Sequence, residues 1–244
     1  MTVIDFSFAA HARGFDQHIQ ESIPGLENLR AMSVEFSRYF VQHETNVIDI
    51  GCSSGALLRS IRDENEPSRR SVSYLGIDTE RNFREHWHGR RAGNLRFQVR
   101  DARSFEGFEN MSLVCSHFTL QFIPERDRAL LLQRVYDGLN EGGALIIAEK
   151  VLARSAKFQD MLTFPFYDHK LLSFSAEAIL DKERSLRGKM TVVDEVRLEQ
   201  MLCEAGFEAG AIQRIWQSYL FVAMIAIKTP RSPQRTIQMM ERAA

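Results

Sequence analysis

Three aspartates, each at or just past the end of a short apolar run, are spaced to capture a nucleoside. Asp49 lies in Val47-Ile48-Asp49-Ile50, directly before the turn Gly51-Cys52-Ser53-Ser54-Gly55-Ala56. Gly51 and Gly55 carry no side chain to obstruct a ligand and reach backbone angles closed to other residues. Strand, tight turn and helix in this order bring bare backbone N–H groups up to a ligand. Asp78 ends the second run, Val72 to Ile77, where a carboxylate can accept hydrogen bonds from both ribose hydroxyls. Asp101 and Ala102 follow the third run, Leu95 to Val99. The turn has one glycine fewer than G-x-G-x-x-G, which argues against a pyrophosphate cradle. The expected ligand is therefore nucleotide-like but not a dinucleotide.

His117 follows the fourth run, Ser112 to Ser116. An imidazole there can take a proton from an O–H or N–H nucleophile, or serve only as a hydrogen-bond partner to the cofactor; both roles stay open. The pair His86 and His88 sits at i, i+2, which diverges on a helix, so no metal site is expected. Cys52, Cys115 and Cys203 show neither a disulfide framework nor zinc spacing, and Cys52 reads as a small filler in the turn.

The elements that must position these residues alternate along the chain. Residues 1–43 read as a helical cap, with Phe15, Ile19 and Ile23 on one face and Pro24-Gly25 breaking it before a second helix from Leu26 to Phe40. Strands and helices then alternate through residues 44–228, the pattern of a parallel sheet covered on both faces. Pro124 opens a helix carrying Leu130, Leu131, Val135 and Leu139, with a glycine stop at Asn140-Glu141-Gly142-Gly143. A fifth strand follows from Ala144 to Glu149. Residues 151–190 break the alternation and carry Phe158, Phe164, Phe166, Tyr167 and Phe174, which reads as an inserted helical lid. Its aromatics suit either a core or a flat acceptor, and His169 beside Tyr167 faces either substrate or solvent. A last helix through Val196, Leu198 and Leu202 leads to strands Ala211–Trp216 and Leu220–Ile227, joined closely enough to be antiparallel. Residues 229–244 read as a polar, frayed tail.

Length and charge narrow the class. A chain of 244 residues makes one substantial domain with room for a lid. A net charge of −1 excludes a polyelectrolyte binder as a whole. Arg81, Arg84, Arg90, Arg91, Arg96, Arg100 and Arg103 nevertheless crowd one segment, as a solvated face or as a surface for an anion such as RNA. No apolar run spans a membrane and the N-terminus lacks a signal-peptide layout; the odd number and wide spacing of the cysteines point to a reducing, cytoplasmic compartment.

The ordered motifs resemble class I S-adenosylmethionine (SAM) dependent methyltransferases, whose D-x-G-x-x-x-G turn matches Asp49, Gly51 and Gly55. The resemblance implies a Rossmann-like α/β fold: a mostly parallel seven-stranded sheet ending in an antiparallel hairpin. It also implies SAM as cofactor, with S-adenosylhomocysteine as product. Asp49, Gly51, Cys52, Ser53, Gly55, Asp78, Asp101, Ala102 and His117 would line the cofactor, with Asp101 toward the adenine amino group.

Ser22-Ile23-Pro24-Gly25, Gly51-Cys52-Ser53, Phe118-Thr119-Leu120-Gln121-Phe122, Glu149-Lys150 and Ala205-Gly206-Phe207-Glu208 are similar to the carboxy-S-adenosyl-L-methionine synthases, over about residues 15–228. Those enzymes use prephenate to convert SAM to carboxy-SAM for tRNA wobble-uridine modification and are homodimers. Two cofactor-side positions depart from that family: Leu26 replaces a tyrosine and His117 an asparagine. The family's carboxylate-binding arginine aligns with Arg184. The expectation is a SAM-dependent methyl transfer to an O–H or N–H of a small, aromatic or planar metabolite, with Leu26, Phe166, Tyr167, His169 and Arg184 facing it. Carboxy-SAM synthesis is the alternative, followed by cyclisation, aminocarboxypropyl transfer, or SAM or RNA binding without turnover.

Overall fold

The computed structural model describes residues 14–87 and 93–230. The expected tail beyond residue 230, the first residues of the helical cap, and His88, Arg90 and Arg91 lie outside the described residues.

The N-terminal helices α1 (Phe15–Ser22) and α2 (Leu26–Phe40) precede β1 (Asn46–Ile50), α3 (Ala56–Asn65) and β2 (Ser73–Asp78). A short α4 (Arg84–Trp87), then β3 (Leu95–Val99), β4 (Met111–His117), α5 (Glu125–Gly138) and β5 (Leu139–Leu152) follow. The lid is α6 (Ala156–Lys170) and α7 (Ala176–Leu186); β6 (Val193–Asp194), α8 (Glu195–Ala205), β7 (Ile212–Ser218) and β8 (Phe221–Ile227) complete the fold. The main sheet runs β3-β2-β1-β4-β5-β8-β7, with two-residue β6 paired to β5. Strands β1 to β5 pair in parallel and β8 pairs antiparallel with both neighbours. This is the mostly parallel seven-stranded sheet with a closing antiparallel hairpin that the resemblance implied, plus one short pairing at the lid.

Alternation along the strands divides the core in two. Val47, Tyr74, Leu95 and Leu113 meet Leu57, Leu58 and Ile61 of α3 on one face. Ile48, Ile50, Val114 and Leu145 meet Leu131, Leu132 and Val135 of α5 and Leu198 and Leu202 of α8 on the other. Full burial of a side chain such as Leu58 or Ile61 contributes roughly 1.5–3 kcal/mol. Helices on both faces thus fix the strand ends as a rigid rim.

Two expectations need correction. The apolar stripe of α5 uses Leu132 rather than Leu130, which is 61% exposed. Helix α5 ends at Gly138, and β5 begins at Leu139 instead of at Ala144. The register with β4 jumps from Met111↔Leu139 to Leu113↔Ala144, so residues 140–143 form a bulge rather than a helix cap. The cap is supplied from far along the chain: Lys228 Nζ donates to the carbonyls of Tyr136, Asp137 and Leu139 at 2.9, 3.1 and 2.7 Å.

The lid is closed at its base. Val151↔Val193 and Leu152↔Asp194 pair in parallel, so the segment leaves and re-enters the domain side by side. Ser175 caps α7 and Asp194 caps α8 through their side-chain oxygens.

Candidate functional site

The strand ends of β1 to β4, the turn after β1, helices α1 and α2 and the lid enclose a cavity of about 570 Å³. That volume lies within the ordinary range for small-molecule and cofactor sites.

Its floor is the glycine turn. Gly51 has φ +73°, and a Cβ there would stand 2.0 Å from Thr119 Oγ1. Gly55 has φ +79° and would meet the Phe97 ring at 2.3 Å. Both positions combine a left-handed backbone with no room for a side chain. The turn's N–H groups, however, are not bare. Gly51 N and Cys52 N donate to the Ile77 carbonyl (2.8 and 3.1 Å), Gly55 N to the Cys52 carbonyl (2.7 Å), and Ser53 N to Asp78 Oδ2 (2.9 Å). This corrects the expectation that the turn presents free donors. A turn whose donors are consumed internally suits a ligand without phosphate. Cys52 is buried, and burial pushes its thiol pKa well up, in keeping with a filler.

Asp78 stands at the end of β2, its carboxylate also accepting Glu80 N at 2.8 Å. Burial raises its pKa, against these N–H bonds. An ionised carboxylate has about four lone-pair sites, so acceptor capacity remains for ribose hydroxyls. Asp101 also lines the cavity, but Arg103 Nη2 holds its Oδ2 at 2.7 Å and pulls its pKa down. Trp87, absent from the sequence-based site, backs the turn from outside: its Nε1 donates to the Ser53 carbonyl at 2.9 Å and its ring stacks on Phe97. The aromatic between His86 and His88 was the available signal.

Asp49 is buried and faces the cavity with no hydrogen-bond partner for its carboxylate among the described residues. Burial and the Asp78 charge push its pKa up to about 7. His117 ends β4 nearby. Ser33 Oγ gives its one proton to the Leu29 carbonyl (2.8 Å), so across the 3.4 Å to His117 Nε2 it accepts, and the imidazole carries its proton on Nε2. Nδ1 is then the basic atom. Burial and the Arg30 charge bring the His117 pKa down to about 3, which keeps the ring neutral.

The turn after His117 is pinned from beneath. Both oxygens of buried Glu149, at the end of the expected fifth strand, accept backbone N–H groups, from Leu120 at 2.8 Å and Gln121 at 3.0 Å. Buried Arg128 donates to the carbonyls of Ile123 (2.8 Å) and Thr191 (2.7 Å), joining this turn to the lid's return. Neither residue was in the sequence-based site.

The lid wall differs from expectation in its polar groups. Leu26 and Phe166 line the cavity; Tyr167, His169 and Arg184 are not among the lining residues. Tyr167 packs beside Phe166, and His169 lies near Tyr219. Arg184 is exposed and pairs with Asp181 at 3.3 Å. Three lysines take the wall instead: Lys150, Lys170 and Lys182. Lys150 and Lys170 lie 5.8 and 5.3 Å from the Phe166 ring centre. Lys182 Nζ reaches His18 Nε2 (2.9 Å) and Ser22 Oγ (3.1 Å) across the mouth, joining α7 to α1. Burial and neighbouring Lys170 bring its pKa down to about 8. Of the other lid aromatics, Phe158 and Phe164 are exposed. No metal-ligating cluster and no membrane-crossing helix occurs among the described residues.

Residues 48–145 match the family described as Methyltransferase domain. The carboxy-S-adenosyl-L-methionine synthase of Staphylococcus epidermidis is 31% identical over 219 residues, covering 89% of this chain and 93% of that protein. That of Klebsiella pneumoniae is 32% identical over 228 residues, 89% of each. Human N-acetylserotonin methyltransferase, solved with SAM, superposes with TM-score 0.59 at 16% identity, covering 91% of this chain and 57% of that one. A chain in the complex of the Haloferax volcanii Trm112 methyltransferase activator gives TM-score 0.63 at 13% identity, covering 93% and 100%. At these identities the solved structures establish the fold.

Proposed function

This chain belongs to the carboxy-S-adenosyl-L-methionine synthase family of methyltransferase-domain proteins, and on that premise we propose that it moves the methyl group of SAM to an O–H or N–H of a small planar metabolite. The observation that carries this reading is one continuous cavity. It runs from Asp78 and Asp101 at the nucleoside end, past Asp49 and His117, to Phe166 under the lid. SAM supplies a methyl group already activated by its sulfonium.

The protein's task is chiefly positioning, which can contribute roughly 7–11 kcal/mol to a bimolecular step. Asp78 meets the ribose and the Asp101-Ala102 segment borders the adenine. Leu26 and Phe166 provide flat apolar walls for the acceptor and exclude water. His117, neutral and with no partner for Nδ1 among the described residues, accepts a hydrogen bond from the acceptor's O–H or N–H and orients its lone pair. A cytoplasmic location and a homodimer belong to this reading through the family, and a tRNA partner does not.

A second reading is carboxy-SAM synthesis, favoured by the lid wall. Lys150, Lys170 and Lys182 gather three amines beside one carboxylate, Glu183. That excess of positive charge suits an anionic co-substrate such as prephenate, on the same wall where the family resemblance expected Arg184 to hold the new carboxylate.

The test is mass spectrometry of the nucleoside released from gently denatured protein, followed by incubation with methyl-labelled SAM. Released SAM or S-adenosylhomocysteine supports methyl transfer. Carboxy-SAM establishes the second reading, and methylthioadenosine overturns both.

A further inference from the structure

The consumed donors of the glycine turn leave a question that charge answers. SAM ends in an α-amino acid, which carries a carboxylate and an ammonium. A turn whose Gly51, Cys52, Ser53 and Gly55 N–H groups already donate within the protein does not offer those donors to the carboxylate. A side-chain cation can hold it instead.

Arg30 of α2 lines the cavity on this side. Its charge acts on both neighbours at this end: it opposes the rise in the Asp49 pKa and adds to the fall in that of His117. It is held in place by two acids on different helices: Nη2 donates to Asp16 Oδ1 (3.3 Å) and Nη1 to Glu27 Oε1 (3.2 Å). The same Asp16 oxygen accepts from Ser54 Oγ at 2.9 Å, which ties the guanidinium to the glycine turn. A guanidinium has five N–H donors, so these two bonds fix it without exhausting it. Arg100, Arg103 and Asp101 mark the opposite, nucleoside end, and the three lysines stand beneath the lid.

Resting on the SAM reading above, we propose that Arg30 is the anchor for the ligand's α-carboxylate, beside the Asp49 carboxylate, which has no hydrogen-bond partner among the described residues. Cation and anion face the same space and pair with other groups or with none rather than with each other. That arrangement is complementary to a zwitterion. The planar fork of arginine suits a carboxylate through paired hydrogen bonds, which lysine cannot reproduce.

Calorimetric titration of the full chain with two ligands tests this. S-adenosylhomocysteine carries the amino-acid end; 5′-methylthioadenosine keeps the adenosine and thioether and lacks it. The wild type is expected to prefer the first by about 100-fold or more, and Arg30→Gln to weaken it by about 10- to 100-fold. Arg30→Lys recovers part of the loss. Methylthioadenosine affinity stays within about twofold in all three proteins, which also shows that the variants are folded. Equal weakening of both ligands, or of neither, overturns the assignment. A folded wild type that binds neither ligand removes the SAM reading and this inference with it.

Discussion

At the nucleoside end the cavity wall consists of residues adjacent to strand termini and a glycine turn; under the lid it consists of side chains brought together from distant parts of the chain. The bond from Ser53 N to Asp78 spans 25 residues, within one strand-turn-helix-strand unit. The contacts from Lys182 to His18 and Ser22 span 164 and 160. The first wall follows from backbone geometry, since parallel strands flanked by helices must end side by side. The second depends on how an inserted helix pair settles on α1 and α2. The first is acidic and shaped for a fixed ligand; the second is rich in amines and shaped for the variable one.

The largest expected effect comes from breaking the backbone-built wall. Gly51→Ala places a methyl group on Thr119 and forces a left-handed φ on a residue with a Cβ. Strain and clash together are expected to cost about 3–5 kcal/mol, at the severe end for single substitutions. A urea melt should show this, and S-adenosylhomocysteine affinity should fall at least 100-fold, by the same conversion of free energy to affinity. If Gly51→Ala binds like the wild type, the turn is not the rigid element that defines the first wall.

Legibility in the sequence followed the same division. Asp49, Asp78, Asp101 and His117 were each found at or beside a strand end because a short continuous apolar run announces where its end lies. The lid was recognised as an insertion, yet its inward residues were not. Helices α6 and α7 sit over a cavity rather than on a core, so no apolar stripe separates Phe166 from Phe164, or Lys182 from Arg184. Arg184 was selected by alignment, whereas the fold turns Lys182, two residues earlier, into the cavity. Arg30 escaped notice because an arginine at that position of an amphipathic helix reads as surface. Lys228 as the cap of α5 was equally invisible, since its partners lie about 90 residues upstream.

An intermediate effect sharpens the contrast within the lid. Prephenate serves as the anionic probe, added to protein already saturated with S-adenosylhomocysteine. Lys170→Met with Lys182→Met should weaken prephenate by about 10- to 100-fold, the scale of losing charge-assisted hydrogen bonds, while S-adenosylhomocysteine affinity holds within about twofold. Arg184→Gln, which removes an exposed cation paired with Asp181, should leave both ligands unchanged. The opposite pattern, with Arg184 decisive and the lysines dispensable, would return the lid wall to the family's arrangement. Thermal shifts measured against titrated ligand read both affinities at once.

The smallest effect tests where the two walls meet, at His117. Its folded pKa lies at about 3 against an ordinary 6.5, because burial and Arg30 disfavour the imidazolium. Between those values the unfolded chain binds a proton that the folded chain does not. Stability therefore falls as pH drops below about 6.5, and the loss is complete only near the folded pKa. Replacement by the family's asparagine removes this dependence. Asp49 works in the opposite direction: its raised pKa of about 7 makes the folded state the one that takes up a proton as pH falls toward 4. Since wild type and His117→Asn share Asp49, subtraction of their unfolding free energies isolates the histidine. The wild type should lose of order 1–2 kcal/mol relative to His117→Asn between pH 7 and pH 5, measured by urea melts. A difference that stays flat over that range would mean that His117 is solvated and titrates normally. The imidazole would then carry a positive charge in mild acid, beside Arg30 and facing the cavity that is to hold a sulfonium, and a neutral hydrogen-bond acceptor could not be its role there.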